Sequence, residues 1–483
     1  MSNIQGRISV NTFIKSIFKF SISSWVNFII SIISVTIITR VFSPDLYGTL
    51  NMFNSASNVL MGVACLGLDS SFLRFYNEPP QGYDAKQLLV KCMGIPIAFL
   101  TVLSLLIVPL FYQQISDALF NKVSLVITIL LCANALSLVV LNFFATCYRM
   151  RGDARNYTIQ SVLLQFFSKC FVISAALVEP STNIVITFNT IGIIILTVVY
   201  FLIQKKEVLP KKINWSFTNF TEVLQFAVLS WPIVMIIHLN TFLSQMVINW
   251  KLGAYSLGIY ASAGIFIGII GVIQNGFKTY WAAFMYAKYI TEQEKIKKVH
   301  NYVLLFTIAL LGIFIIFQNI LYSLLGGNYQ ESRYFFTLIL VYPLFQIIAE
   351  TTAYGITIAK KIQYSLLINL LSAVINVVGC YVLLSYMGII GAAVASMISA
   401  LIYLLLSTII GQKYYRSICQ PVKTFMVIIM ILVLSITNCI FVNQYILEMM
   451  IILGILFITA VSFKKEISEL IIFLKKYKRN PVV

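Results

Sequence analysis

Two ionisable side chains stand deep inside long apolar runs. Lys169 lies about ten residues, or ~15 Å of helix, from either end of the run 158–178. Glu350 is similarly placed in 335–358. A lysine stem cannot snorkel fully from that depth. A charge at the centre of a bilayer costs at least ~2.5–3.5 kcal/mol, so each group needs a partner, a watery cavity or a neutral state. Either the two pair with each other as a structural tie, or each faces a hydrated passage. Gln165 stands one turn from Lys169 on the same helix face. His238 lies in a third run, 222–247. There it is either a hydrogen-bonded interior group or a proton carrier, since the ordinary imidazole pKa lies close to neutrality.

Faces of small polar residues accompany these charges. In 17–41, Ser24, Asn27, Ser31 and Ser34 follow at steps of 3, 4 and 3, which is one side of a helix. Asn51, Asn54 and Asn58 do the same in 46–68, and His238, Thr241, Gln245 and Asn249 continue along 222–247 and just beyond. Asn275 and Lys278 make a shorter face near the end of 257–280. Such rows either line a hydrophilic passage or act as interhelical glue, worth roughly 0.6–2 kcal/mol each. The row Ser365, Asn369, Ser372 and Asn376 in 364–386 keeps the second reading open.

The shallower cations sort by depth. Lys15, Lys19, Arg74 and Lys278 would ring an inner mouth, while Arg40 and Lys251 sit at the outer ends of 17–41 and 222–247. Together with Lys169 they describe a cationic route. It suits an anionic cargo, because phosphate oxygens accept charge-assisted hydrogen bonds from Arg and Lys. The eight cysteines are scattered without a CxxC spacing, which points to buried apolar roles rather than metal or disulfides. There is no GxxxxGK[ST] phosphate loop. No cofactor, metal or catalytic residue is expected.

These residues must be held by membrane-spanning elements. The chain has 483 residues, 60% hydrophobic and 10% charged, with a mean hydropathy of +0.92. Soluble domains carry roughly a quarter charged residues. About fourteen apolar stretches are long enough to span. They cover 17–41, 46–68, 88–111, 123–146, 158–178, 184–203, 222–247, 257–280, 301–325, 335–358, 364–386, 389–411, 424–442 and 445–463. Backbone groups in lipid must be satisfied internally, and runs of ~20 residues do that as helices. With the N-terminus inside, 29 basic residues fall on the cytoplasmic side and four, Arg40, Lys122, Lys251 and Arg333, outside, with Lys169 left inside a helix. That asymmetry places both termini in the cytoplasm. It also makes the net charge of +18 a topology signal rather than a nucleic-acid footprint. The stretch MSNIQGRISVNTFIKSIFKF reads as a cytoplasmic lead into the first span, not a cleaved signal.

A weak internal repeat organises the spans. VFSPDLYGTLN (41–51) resembles KLGAYSLGIYA (251–261), with Gly48 and Gly258 210 positions apart; Gly67 and Gly276 match at an offset of 209. Six spans per copy is an even number, so both copies enter the membrane alike and their pseudo-two-fold runs along the membrane normal. The expected organisation is an N-terminal lobe 1–203, a basic cytoplasmic linker 204–221 and a C-terminal lobe 222–411. Two further spans at 412–463 and a basic cytoplasmic tail 464–483 follow. Two parallel lobes imply rocking about a site between them.

The segment GLDSSFLRFYNEPP (67–80) closes the second run. Asp69 is placed to cap a short helix whose Phe72, Leu73, Phe75 and Tyr76 enter the interface, with Arg74 reaching for phosphate. Pro79 and Pro80 end it. An ordinary interfacial anchor and a gating element both fit.

VFSPDLYGTLN, GLDSSFLRFYNE and YMGIIGAAVASMISALIY (386–403) resemble the polysaccharide exporters of the MOP superfamily, most of all the O-antigen (Wzx-type) flippases. The likeness spans the chain, through loose motifs. It implies movement of an undecaprenyl-pyrophosphate-linked oligosaccharide from the cytoplasmic to the outer leaflet of a bacterial inner membrane, with other polysaccharide-assembly membrane proteins as potential partners. Related lipid II flippases are similar in having a cationic cavity bounded by spans 1, 2, 7 and 8. Such a protein supplies a wet cleft for sugar hydroxyls, which cost roughly 2–7 kcal/mol each when buried unpaired. His238 and Glu350 would be its proton or ion sites. A lipid II flippase and a drug/cation antiporter of the same superfamily are alternatives. The antiporter would need a buried acid in the first six spans, where only Lys169 is found. A membrane polymerase or ligase would need a long outer loop bearing catalytic residues, and the outer loops are short.

Overall fold

The computed structural model describes residues 10–208, 210 and 219–479, and every regular element among them is helical. Backbone proximity divides the chain into two compact units. One is Met1–Ile265 with Gly326–Tyr329; the other is Phe266–Leu325 with Gln330–Val483. The first part of the long helix that begins at Thr221 therefore belongs with the helices before it.

The first unit opens with α1 (Val10–Val41) and α2 (Pro44–Cys65). Ser43 caps α2, its side chain accepting from Leu46 N–H, with Pro44 supplying a preset first-turn φ. Leu66 and Gly67 then take left-handed conformations (φ 49° and 78°), turning the chain by 56° into α3 (Leu68–Phe75). Gly67 is required there twice over, because a Cβ would also lie 2.2 Å from the carbonyl oxygen of Ala227. Next come α4 (Ala85–Phe120), α5 (Leu125–Met150), α6 (Ala154–Val178) and α7 (Thr182–Val208). Asp84, Ser124 and Asp153 cap α4, α5 and α6.

The stretch 67–80 departs from its sequence reading. Asp69 lies in the first turn of α3, where its charge suits the helix dipole, but the N-cap is Gly67. Phe72 is fully buried against Phe143 and Tyr76 instead of facing the interface. Ser71 Oγ donates to the carbonyl of Val223 at 2.9 Å. The segment is core, and only its far end, with Arg74, reaches solvent.

α8 (Thr221–Lys288) has 68 residues. That is ~100 Å of helix against a hydrocarbon core of ~30 Å. It breaks at Gly253, whose φ of 82° and ψ of 174° are open to glycine alone. The second unit holds the rest of α8, then α9 (Gln293–Ile316), α10 (Gln318–Ser323) and a 3₁₀ turn at Gly327–Tyr334 that straddles the division. α11 (Phe336–Thr352), α12 (Tyr354–Ile358), α13 (Ile362–Met387), α14 (Ile389–Tyr414), α15 (Pro421–Phe441), α16 (Tyr445–Ser462) and α17 (Lys464–Arg479) complete it.

Among the described residues ten helices are long and apolar enough to cross a membrane, or twelve if each of two bent pairs is one span. The sequence count of fourteen separates 222–247 from 257–280, and the non-helical backbone at Gly253 divides α8 between those two stretches, so that α8, counted once among the ten, is two helical segments. That count of fourteen also includes the start of α1, of which Trp25–Val41 is the apolar part described. The chain is an all-α polytopic membrane protein.

Candidate functional site

The polar faces of the first unit meet in two hydrogen-bonded sets that share α6. Asn27 on α1 donates to Ser161 Oγ on α6 at 2.7 Å. Ser168 Oγ, also on α6, donates to Asn189 Oδ1 on α7 at 2.9 Å, and Asn189 Nδ2 donates to Asn54 Oδ1 on α2 at 3.2 Å. Lys169 follows Ser168 directly and is half-buried. No hydrogen bond or ion pair holds its ammonium among the described residues. An ammonium without a protein partner at span depth is the group that a hydrated anionic ligand would satisfy.

Further along α2, Ser55 Oγ donates to Gln245 Oε1 on α8 at 2.5 Å. Ser31 is half-buried; Asn58 and Thr241 are exposed. Asn51 Nδ2 turns back to the Tyr47 carbonyl of its own helix at 2.8 Å. His238 is half-buried with its ring against Gly62, the Cβ site of which is 3.4 Å from His238 Cδ2.

The end of this unit that the charge distribution places outside is closed by paired contacts. A Cβ on Gly48 would lie 2.0 Å from the carbonyl oxygen of Ala254, and one on Gly258 would lie 1.9 Å from that of Pro44. Thr39 Oγ1 accepts from Gly326 N–H at 3.1 Å, and Tyr329 O–H donates to the Phe42 carbonyl at 3.0 Å. Asn249, 2% exposed, donates to the Leu119 carbonyl at 2.9 Å. Thr39 and Asn249 are themselves 210 positions apart. Thr39 holds the turn before Gly327–Tyr334, and Asn249 holds the last turn of α4. Asn249 is thus a tie at that end, not an open lining residue. Arg40 is exposed in the last turn of α1, and Lys251 is partly buried near the Gly253 break; both have interactions of their own.

In the second unit, Lys278 Nζ lies 3.4 Å from Glu350 Oε1. One turn away on both helices, Gln274 Nε2 donates to Gln346 Oε1 at 3.0 Å. Two consecutive rungs therefore join α8 to α11. The Glu350 side chain is 16% exposed and that of Lys278 is 61% exposed. The partner of Glu350 is Lys278, which replaces the structural pairing with Lys169 considered from sequence. Asn275 is exposed beside them and is not without interactions.

No family model matches the chain, and no curated protein matches it in sequence. Solved structures do match. A structure described as lipid II flippase MurJ in an inward closed conformation aligns with a TM-score of 0.69 at 15% identity, covering 93% of this chain and 99% of that one. An inward-facing multidrug resistance MATE family transporter of the MOP superfamily aligns with a TM-score of 0.55 at 13% identity, covering 82% and 97%. Its outward-facing form aligns at 0.53 and 17%. The chain has their fold. At these identities the fold is what is shared. That fold of packed spans accounts for why polar side chains from α1, α2, α6, α7 and α8 can face one another although they are far apart in sequence.

Arg74 does not stand alone. It pairs with Glu78 at 3.0 Å, both side chains more than half exposed, and its guanidinium lies 5.6 Å from the Phe75 ring. The side chains of Lys15, Lys19 and Ser24, and the linker lysines 211 and 212, lie outside those described. The sequence reading omitted Ser161, Ser168 and Asn189. A signal was available for two of them: Ser161, Gln165 and Ser168 step by 4 and 3, a polar face on α6.

Proposed function

We propose that this protein is a flippase of the bacterial inner membrane. It moves a polyprenyl-pyrophosphate-linked oligosaccharide, an O-antigen unit or a similar repeat, from the cytoplasmic to the outer leaflet. The observation that carries the reading is Lys169, an ammonium without a protein partner among the described residues, next in sequence to Ser168 in the polar contacts that join four helices. Sugar hydroxyls find donors and acceptors along Asn27, Ser31, Asn51, Asn54, Asn58, Thr241, Gln245 and Asn275. The pyrophosphate meets Lys169, with Arg40, Arg74, Lys251 and Lys278 along the route. The polyprenyl chain stays in lipid. Alternating access follows from the fold and from the outer closure at Gly48 and Gly258, which is made of breakable contacts. His238 and the Lys278–Glu350 pair are the groups assigned to ion coupling. Both termini, the linker 204–221 and the tail 464–483 are cytoplasmic in this reading, which makes 1–203 and 222–411 the moving lobes.

The fold is shared with both a lipid II flippase and multidrug transporters. The stronger alignment, 0.69 against 0.55, is with the flippase, which supports a lipid-linked cargo over a drug. A lipid II cargo would differ only in its sugars. No Asp or Glu belongs to those polar contacts, where a drug cation would require one.

The test is a leaflet assay for lipid-linked oligosaccharide in membranes with wild type, Lys169→Ala or Lys278→Ala at matched expression. Cargo held on the cytoplasmic side by the variants supports the passage. Normal outward movement in both would return the lysines to structure. Unchanged movement after deletion of the whole protein, in a strain with no redundant flippase, would sink the reading.

A further inference from the structure

Away from those polar contacts, three cations from three helix ends of the first unit converge on a cavity of about 390 Å3. Lys86 comes from the first turn of α4, Arg151 from the C-cap of α5 and Lys206 from the last turn of α7. Phe72 and Tyr76 form part of the wall, and Glu207 is the one carboxylate in the lining. Arg151 Nη1 pairs with that carboxylate, and Nη2 donates to the Glu207 carbonyl at 3.1 Å. Lys86 Nζ donates to the Lys206 carbonyl at 3.2 Å. Burial works against the charge on Arg151, but Tyr76 and Glu207 outweigh it and raise its pKa above the ordinary value.

Cations at helix C-termini can serve the macrodipole alone. That role explains Lys86 on the end of α7, but it needs no cavity. Three cations facing one carboxylate leave an excess of two positive charges around a space large enough for a phosphate group and its first waters. The carboxylate is also the more exposed partner: the Glu207 side chain is 62% exposed and that of Arg151 is 27% exposed. Glu207 can turn into solvent without any desolvation cost, leaving the Arg151 fork open to another anion of better geometry.

We propose that the cavity among Tyr76, Lys86, Arg151 and Lys206 is a binding site for a phosphate-bearing anion, which displaces the Glu207 carboxylate from Arg151. The chemistry is shared by a soluble phosphate compound and an anionic lipid headgroup. The site lies where the inter-repeat linker leaves α7. The far end of that linker is seated on the same segment, with Phe220 5.9 Å from the Tyr83 ring and Asn219 Nδ2 donating to the Gln81 carbonyl at 3.3 Å. Occupancy would therefore be felt at the start of a linker whose end is already fixed nearby. The cargo identity is not needed for this assignment.

The experiment uses the full chain in nanodiscs of phosphatidylcholine, titrated with inorganic pyrophosphate while melting temperature and heat are followed. A second arm replaces part of the lipid with phosphatidylglycerol and omits pyrophosphate. A saturable response in the first arm identifies a soluble phosphate ligand; a response in the second alone identifies a headgroup. In either arm Arg151→Gln and Lys86→Gln should weaken binding at least about tenfold, the worth of a charge-assisted hydrogen bond. Glu207→Gln, which removes the competing anion and keeps the helix, should tighten it severalfold. A response that Lys169→Ala abolishes and Arg151→Gln leaves intact would place the pyrophosphate in the passage instead and overturn the proposal. Equal responses in wild type and Arg151→Gln, no response in either arm, or weaker binding in Glu207→Gln would overturn the proposal. If Arg151→Gln does not fold, the sign of the Glu207→Gln effect decides alone.

Discussion

Gly48 and Gly258 press into each other's neighbourhoods at one end of the first unit. The Cβ site of Gly48 points at the Ala254 carbonyl and that of Gly258 at the Pro44 carbonyl, at 2.0 and 1.9 Å. Gly258 follows Gly48 by 210 positions, and Ala254 follows Pro44 by the same number. The two contacts are thus one contact repeated about a two-fold axis. Each glycine exists for the close approach, since both sit in ordinary helix and neither needs an unusual φ.

Gly48→Ala or Gly258→Ala should therefore force that closure apart. Overpacking of this kind costs roughly 1–3 kcal/mol. The expected readout is a lower melting temperature together with faster alkylation of a cysteine placed at Asn121, in the loop beside the closure, by an impermeant maleimide. Gly264→Ala, which meets nothing within 4 Å, should do neither. If Gly48→Ala behaves like Gly264→Ala, the crossing is not tight.

How much of this could be read beforehand follows from where each constraint lies. The helical, polytopic fold was legible because lipid leaves an apolar run no other way to satisfy its backbone. The division of 222–280 was legible too, since Gly253 interrupts α8 between the two apolar stretches, whereas the bend at Leu66–Gly67 was not. Polar faces were legible as spacings. Their partners were not: Asn249 meets a carbonyl 130 residues away, and Asn54 meets Asn189 at a separation of 135. His300 shows the limit. Its partners, Thr351 and Thr424, are 51 and 124 residues distant. Because the Thr351 hydroxyl is spent on the Ile348 carbonyl, it must accept from Nδ1–H, and Nε2 then accepts from Thr424. Nothing in the local sequence announces that lock between α9, α11 and α15.

Lys169 separates function from stability by the sign of its effect. A structural lysine would cost stability when removed. An unpaired ammonium held at span depth is instead a burden, so Lys169→Met should leave the melting temperature unchanged or raise it while outward movement of cargo falls. Lys169→Arg should retain part of the transport, as the cation remains. A variant that loses stability and transport in parallel would point to a packing role.

Glu448 offers the opposite case. Its carboxylate, 2% exposed, accepts from Gln318 Nε2 at 2.9 Å on both oxygens and also from Asn438 Nδ2, tying α16 to α10 and α15. Asn438 Oδ1 in turn accepts from Thr337 of α11 at 2.8 Å. Glu448→Ala leaves buried amide donors unpaired, at about 1–3 kcal/mol each. Glu448→Gln should fare little better, because its own NH2 would face donors that want an acceptor. Thermal unfolding of both variants checks this; a wild-type melting temperature for Glu448→Ala would show that water replaces the carboxylate.

The start of the tail helix α17 is held by a group that titrates outside the spans. Glu466 Oε1 accepts from Lys423 Nζ and Asn301 Nδ2, each at 2.9 Å. Burial alone would push this carboxyl up, but the bonds from Lys423, the backbone and Asn301 outweigh it and hold the pKa below the ordinary 4.5. A carboxyl with a folded-state pKa below its unfolded value stabilises the fold above the unfolded value. That contribution is lost as the pH falls through the folded one. The latch should therefore be intact at neutral pH and release in acid as the pH falls below 4.5. A spin label at Ser468→Cys should gain mobility over that range. Glu466→Gln loses the charge on the acceptor, so its label should be mobile already at neutral pH and change little on acidification. A label that stays immobile in acid in the otherwise wild-type chain would show that α17 is held by its apolar side instead.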